Sequence, residues 1–237
     1  MDSRRIYAGF RIDEVVRENS ATTTLILDGE LGADPGQFVM LWVPGVDEKP
    51  FSLSGDCPVR LTIREVGPVS RYLCGLPPGE EVRLRGPFGR GFVLRGSSPL
   101  LVGGGYGAAP LGFLARKAVE RGATCVLAVG AASAEELLVP QDLDDRVEIL
   151  TATEDGSAGV QGYVTKAAEA VVDRGTVDGV YACGPEGMLA SVKSLCVRRG
   201  IQGQLCYEAY MRCGVGVCGS CEHEGKLVCR DGPVIGC

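Results

Sequence analysis

Four cysteines fall within residues 213 to 229, "CGVGVCGSCEHEGKLVC". With no secretory leader expected, such a cluster reads as a set of metal ligands rather than a disulfide framework, since reducing compartments keep thiols free. Cys213, Cys218 and Cys221 are spaced C-x4-C-x2-C, and Cys229 follows after seven residues. The first three match the plant-type [2Fe-2S] spacing. Gly214, Gly216 and Gly219 let the backbone wrap closely around a cluster and turn N–H groups toward its sulfurs. A structural zinc site would more naturally carry two C-x2-C pairs, and here only Cys218 and Cys221 form one. The four cysteines are therefore expected to ligate a [2Fe-2S] cluster. A zinc-stabilised binding module, its glycine-rich loops mere turns, is the reading from a different class.

Two further stretches could hold a nucleotide. "GGGYGAAP", Gly103 to Pro110, follows an apolar run and precedes a helical one. Gly103, Gly104, Gly105 and Gly107 permit a sharp turn and the approach of a pyrophosphate to the helix N-terminus, where dipole and free N–H groups favour an anion. The stretch is not the G-x-G-x-x-G fingerprint, and a glycine-rich turn can be purely structural. "YACGPEGM", Tyr181 to Met188, ends another apolar run. At the carboxyl end of a parallel strand, Cys183, Gly184 and Pro185 would line the same crevice, although a buried Cys and a helix-starting Pro would explain them equally well. Earlier in the chain, "KPFS" (Lys49, Pro50, Phe51, Ser52) and "TIREVGPVS" (Thr62 to Ser70) are placed at strand ends. Lys49 and Arg64 could meet a phosphate and Ser70 could cap a helix. Exposed Lys or Arg on a strand is usually just solvated.

The elements that must position these groups fall into three segments. Residues 1–97 show period-two alternation over Thr22 to Leu27, Gln37 to Val43, Val59 to Val66 and Glu81 to Arg85, with Gly, Pro and Asp between. This predicts antiparallel strands closing into a small β-barrel, with a short helix beginning after Ser70. In residues 98–201, apolar runs (Leu100 to Val102, Cys125 to Val129, Val147 to Leu150, Gly179 to Ala182) alternate with helical stretches (Ala109 to Arg121, Val164 to Arg174, Glu186 to Arg199). That is the grammar of an α/β domain with a parallel sheet covered on both faces. Residues 202–237 are too few and too rich in Gly and Cys to fold on an apolar core, and a bound metal centre would hold this lobe together.

Composition limits the partners. With 45% hydrophobic residues and a formal charge of -6, the 237-residue chain can bury two ordinary cores and would repel a phosphate backbone. Nucleic acid is not expected. Met1 to Ile6 lack the apolar core of a signal peptide, and the uncharged run Pro99 to Ala115 is too short for a span. A cytoplasmic protein without a membrane segment is expected. Cys57, Cys74, Cys125, Cys183, Cys196 and Cys206 are dispersed and read as small core hydrophobes. Cys237 has no assigned role.

Taken together, these motifs resemble the ferredoxin-NADP reductase superfamily, and within it the electron-transfer subunits of NAD-linked, multi-subunit dihydroorotate dehydrogenases. The resemblance spans nearly the whole chain and implies an FAD-binding barrel, an NAD-binding domain and a [2Fe-2S] lobe. Lys49, Pro50, Phe51 and Ser52 fall on the family's R-x-Y-S flavin motif, with Ser52 beside the isoalloxazine. Lys in place of Arg keeps the charge and loses the bidentate fork. Thr62, Ile63, Arg64, Gly67, Val69 and Ser70 fall on the segment that binds the ribityl chain and pyrophosphate. The two glycine-rich loops match the nicotinamide-nucleotide loops, in which the residue at Cys183 approaches nicotinamide and flavin. "TEDGSAGVQGYVT", Thr153 to Thr165, resembles a further stretch typical of the subfamily. Relatives using NADP often carry Arg after the second sheet strand, where this chain has Gly130-Ala131-Ala132-Ser133, so NAD is implied. "CRDGPV", Cys229 to Val234, is the most specific pointer, while the Cys221-to-Cys229 gap is shorter than usual, which shortens the cluster hairpin and spares the ligands.

The resemblance implies an oxidoreductase subunit that carries electrons through [2Fe-2S] and FAD to NAD. The donor would be an FMN-containing catalytic partner oxidising dihydroorotate, in a heterotetramer. It places no catalytic residue for dihydroorotate in this chain. The alternative is the small subunit of an NADH-dependent ferredoxin-NADP oxidoreductase or sulfide dehydrogenase, in which one cluster ligand can be Asp. Four cysteines and the Asp231-Gly232-Pro233-Val234 ending favour the first reading.

Overall fold

Val59, Leu61 and Ile63 alternate with Arg60, Thr62 and Arg64, and that alternation sends the first three inward and leaves the others at the rim. Six such strands close into a barrel in the order β1-β2-β5-β4-β3-β6: β1 Ala8–Arg17, β2 Thr22–Leu27, β3 Phe38–Val43, β4 Asp47–Asp56, β5 Val59–Arg64 and β6 Glu81–Phe88. All neighbouring pairs are antiparallel. The barrel is filled by Ile12, Leu25, Leu27, Val39, Leu41, Leu53, Leu61, Ile63 and Leu84, none more than 1% exposed. Each such side chain contributes about 1.5–3 kcal/mol through removal from water. This computed structural model describes residues 7–237. The expected lack of a signal-peptide core over Met1 to Ile6, and the start of the 1–97 segment, lie outside the described residues.

The helix of this segment, α1 (Pro68–Cys74), starts earlier than expected, at Pro68, which suits a first helical turn. β1 and β4 escaped the sequence reading. β4 is long because it serves two partners, pairing with β3 from Asp47 to Ser52 and with β5 from Leu53 onward, with a register shift between Leu53 and Gly55. "KPFS" therefore lies inside a strand rather than at its end.

β3 is buried on both sides. Val39, Leu41 and Val43 enter the barrel core, while Phe38 and Met40 point outward and would be exposed if nothing covered them. They are covered by the cysteine-rich lobe, whose Met211, Cys221, Val228 and Cys229 join Phe38, Met40 and Phe88 in a second small core. The lobe has only a two-residue ladder, Glu222–His223 with Lys226–Leu227, and a single-turn helix, Val228–Asp231.

Contacts gather the chain into two units, one running to Gly91 and taking in Glu208–Pro233, the other holding Phe92–Tyr207 and Val234–Cys237. The boundaries drawn from sequence, at 97/98 and 201/202, differ for local reasons. Phe92 packs edge-on against Tyr181, 6.0 Å between ring centres, and the Val93 N–H donates to Gln204, 2.9 Å. Both anchors place residues 92–97 with the sheet.

The second unit carries β7 Pro99–Gly104, α2 Ala108–Glu120, β8 Cys125–Ala131, β9 Val147–Thr153, β10 Val160–Gln161, α3 Val164–Val172, β11 Gly179–Cys183, α4 Glu186–Arg199 and β12 Gly203–Cys206, and a last strand, Val234–Gly236. Strand order is β10-β9-β8-β7-β11-β12 followed by the last strand, every pair parallel except the final antiparallel one. Leu101, Leu127, Val129 and Tyr181 face α2 on one side; Leu100, Val102, Ala128 and Val180 face α3 and α4 on the other. The runs are continuously apolar because both faces are covered. Among the described residues, no helix is long and apolar enough to cross a membrane.

Candidate cofactor sites

The cysteine loop is built by backbone as much as by thiols. Gly214 adopts φ +69°, and a side chain there would press on Met40, its Cβ only 2.8 Å from the Met40 Cγ. The loop thus lies directly on β3. The sulfurs come in two pairs: the Cys213 and Cys218 thiols lie close enough to perturb each other, and Cys221 Sγ is 3.2 Å from Cys229 Sγ. Backbone N–H groups of Val215 and Val217 point at Cys213 Sγ (3.5 and 3.4 Å), and that of Gly216 at Cys229 Sγ (3.2 Å). Cys218 is exposed and hydrogen bonding with Ser220 pulls its thiol down to about 6, whereas burial pushes Cys229 up to about 12.

Among the described residues, no three His, Cys, Asp or Glu side chains converge on one point that could hold a metal ion. Four thiols gathered in one short loop, with backbone N–H groups aimed at the sulfurs of Cys213 and Cys229, fit a [2Fe-2S] cluster, which these residues would hold.

On the barrel, Lys49, Pro50, Phe51 and Ser52 stand opposite Leu41, Met40, Val39 and Phe38. Lys49 Nζ is paired with Asp47 at 2.5 Å, which holds that carboxyl below the usual range, and lies 5.6 Å from the Tyr210 ring centre. On the adjacent strand Thr62 Oγ1 donates to Ser54 Oγ, 3.0 Å, and Arg64 ends the strand. Gly67, with open space where a side chain would stand, leads into α1, where Val69 and Ser70 are buried. Ser70 does not sit at the cap position. Its Oγ reaches back to accept from the N–H groups of Val66 (2.8 Å) and Gly67 (3.0 Å).

In the second unit the two glycine-rich loops are packed backbone to backbone. β7 and β11 are neighbours, with Gly103 opposite Cys183. A Cβ on Gly107 would overlap the Cys183 carbonyl, and one on Gly104 would stand 2.9 Å from Pro185. Gly105 faces open space. The structure thus brings Gly103, Gly104, Gly105 and Gly107 together with Cys183, Gly184 and Pro185 at the carboxyl edge of the sheet, where open α/β sheets take ligands. Neither α1 nor α2 has an acidic residue in its first turn, which leaves both positive helix ends for an anion. These features fit a dinucleotide phosphate in each unit.

Of the dispersed cysteines, Cys125, Cys183, Cys196 and Cys206 are buried as expected, Cys74 is half-buried, and Cys57 is exposed because it sits on the turn joining β4 to β5. Burial and the neighbouring Cys237 push the Cys196 thiol up to about 12.

Sequence reasoning missed a charged network on the barrel's outer face. Arg85 forks onto Glu48, Nε to Oε1 at 2.6 Å and Nη2 to Oε2 at 2.8 Å, and Tyr7 donates to the same carboxylate at 2.6 Å. Hydrogen bonding to Glu48 raises the Arg85 guanidinium above its ordinary value. The strand alternation places Arg85 outward, but nothing local says that this outward face is covered.

The profile described as the iron-sulfur cluster binding domain of dihydroorotate dehydrogenase B matches residues 208–237. A probable dihydroorotate dehydrogenase B (NAD(+)), electron transfer subunit, from Methanopyrus kandleri is 42% identical over 205 residues, covering 85% of this chain and 78% of that one. A protein of the same name from Methanothermobacter thermautotrophicus is 40% identical over 243 aligned positions, covering 99% and 90%. The chain belongs to this family of electron transfer subunits. An NADH-dependent reduced ferredoxin-NADP oxidoreductase superposes with TM-score 0.85 at 25% identity, covering 97% of this chain and 88% of that one. A ferredoxin NADP+ reductase from Neisseria gonorrhoeae, solved with bound FAD and NADP, shares the fold at TM-score 0.66 and 16% identity, covering 82% and 92%. As a family member the chain is an electron transfer subunit with an iron–sulfur binding lobe, and that role implies a catalytic partner.

Proposed function

We propose that this chain takes electrons from an FMN-containing dihydroorotate dehydrogenase catalytic subunit, with which it forms a heterotetramer in the cytoplasm, and delivers them to NAD. Cys213, Cys218, Cys221 and Cys229 would hold the [2Fe-2S] cluster. Lys49 to Ser52, Thr62 to Arg64, Gly67, Val69 and Ser70 would hold FAD, and the paired loops at Gly103 to Gly107 and Cys183 to Pro185 would hold the nicotinamide nucleotide. When bound, the flavin supplies the exchange between single electrons and a two-electron hydride. The protein's part is placement. Backbone N–H groups steady the sulfurs, and the helix ends offer positive dipoles to phosphate. The observation that carries this reading is the pair of thiol pairs seated on β3, in a chain matching dihydroorotate dehydrogenase B electron transfer subunits over nearly its whole length.

The test is anaerobic reconstitution with the catalytic partner. About one FAD and two irons per chain are expected, together with dihydroorotate-dependent NAD reduction. Changing Cys221 to Ser replaces a thiolate by a harder oxygen ligand. Cluster and partner-linked turnover should then be lost, while FAD content and NADH-to-dye activity stay largely intact. Partner-linked turnover surviving loss of iron would refute the path. Activity with reduced ferredoxin and none with dihydroorotate would instead favour the ferredoxin-NADP oxidoreductase reading that the structural likeness also supports.

A further inference from the structure

Arg85 is a charge held almost out of water, its side chain 12% exposed and that of its partner Glu48 17%. Removing such a pair from solvent is costly, and well-packed apolar residues could serve the barrel as well. A costly pair placed on this face suits a further task. Glu48 and Arg85 lie on the two strands flanking β3, opposite Trp42 and Met40 respectively, on the outward side. The guanidinium sits 5.8 Å from the Tyr7 ring centre and 5.4 Å from that of Phe88, which limits its swing. With the fork engaged, Nη2 also donates to the backbone carbonyl of Cys213 at 2.9 Å. One residue on, Gly214 rests on Met40, the residue opposite Arg85 across the ladder. The entry to the cysteine loop thus has two supports, one apolar and one a charge-assisted tether. Glu48 directly precedes Lys49 to Ser52, so the tether runs from the strand carrying the flavin motif to the first cluster cysteine.

We propose that Arg85 is a positioning residue that ties the Cys213 end of the cluster loop to the barrel, and that the Arg85–Glu48 pair holds the local charge balance that sets the cluster's reduction potential. This rests on the reading that residues 213–229 bind a [2Fe-2S] cluster. Reduction adds one negative charge to the cluster, so a nearby cation favours it and a nearby anion opposes it. The intact pair is neutral. Breaking either half should move the potential, in opposite directions.

The experiment is redox titration of the whole protein followed by electron paramagnetic resonance, with iron and FAD content measured on each sample. Arg85→Gln leaves the Glu48 carboxylate uncompensated and should lower the potential. Glu48→Gln leaves the guanidinium and should raise it. Each change should alter the reduction equilibrium about tenfold, or about 59 mV for one electron. The double variant should return the potential toward wild type while its signal stays broadened by the lost tether, and Arg85→Lys should lie nearer wild type in potential than Arg85→Gln. If Arg85→Gln fails to retain iron, Glu48→Gln and Arg85→Lys carry the test. Single variants that shift in the same direction, or shift the equilibrium less than twofold, overturn the proposal. Absence of iron from the wild-type protein would instead overturn the cluster assignment.

Discussion

Changing Gly107 to Ala adds one methyl group where the two nucleotide loops touch. The new carbon would overlap the Cys183 carbonyl oxygen and stand 2.6 Å from its carbon and 2.8 Å from the Gly184 nitrogen. Neither neighbour can give like the end of a flexible side chain. Cys183 is paired on both sides, with Gly103 and with Cys206, so the loops must separate by about 1 Å or the ladder must break. Overpacking of this kind costs about 1–3 kcal/mol. If the cost falls on the geometry that binds nucleotide, the dissociation constant for NAD should rise by about 5- to 150-fold. Calorimetric titration with NAD and stopped-flow bleaching of the flavin by NADH would measure it, with FAD and iron content expected to hold, since the residues proposed to hold them lie in the other unit. Gly187→Ala is the matched control, because that position has open space and an ordinary helical backbone at the start of α4. A folded Gly107→Ala protein whose affinity stays within twofold of wild type would refute the argument.

NADH should reduce the flavin faster than NADPH, because Gly130-Ala131-Ala132-Ser133 offers no Arg to a 2′-phosphate; comparable or reversed stopped-flow rates would overturn this. Met40→Ala, at a fully buried position beneath the cysteine loop, should destabilise the barrel by about 2–5 kcal/mol in denaturant unfolding. It should also lower iron retention more than FAD retention, and equal losses would count against Met40 as the loop's seat.

The sequence made most of this fold legible wherever one physical pattern ran unbroken. Glu186 to Arg199 is legible as a helix because Pro185 marks its start, and the structure ends it at Gly200, φ +64°. Val59 to Arg64 alternates cleanly and was found. β1 was missed because Ile12 is its one fully buried residue, so its periodicity is faint, and β4 because a strand with two partners has no single inward face. The cysteine spacing and both glycine-rich loops were readable because backbone geometry and ligand chemistry are local. Arg85 was not, since the contact that gives it meaning is a carbonyl far along the chain, and the burial of its face depends on a lobe that local pattern cannot dock.

The strand at Val234–Gly236 runs antiparallel beside β12, with Cys206 opposite Val234 as the innermost pair. In connectivity, everything from Tyr207 to Pro233 is therefore the loop of one β-hairpin, its two ends leaving the sheet a single strand spacing apart, about 4.8 Å. A segment mounted this way is a cassette. Closing a longer or shorter loop between fixed neighbours changes the entropy only logarithmically with length. The sheet can thus accept a longer or shorter intervening segment without any strand being re-threaded.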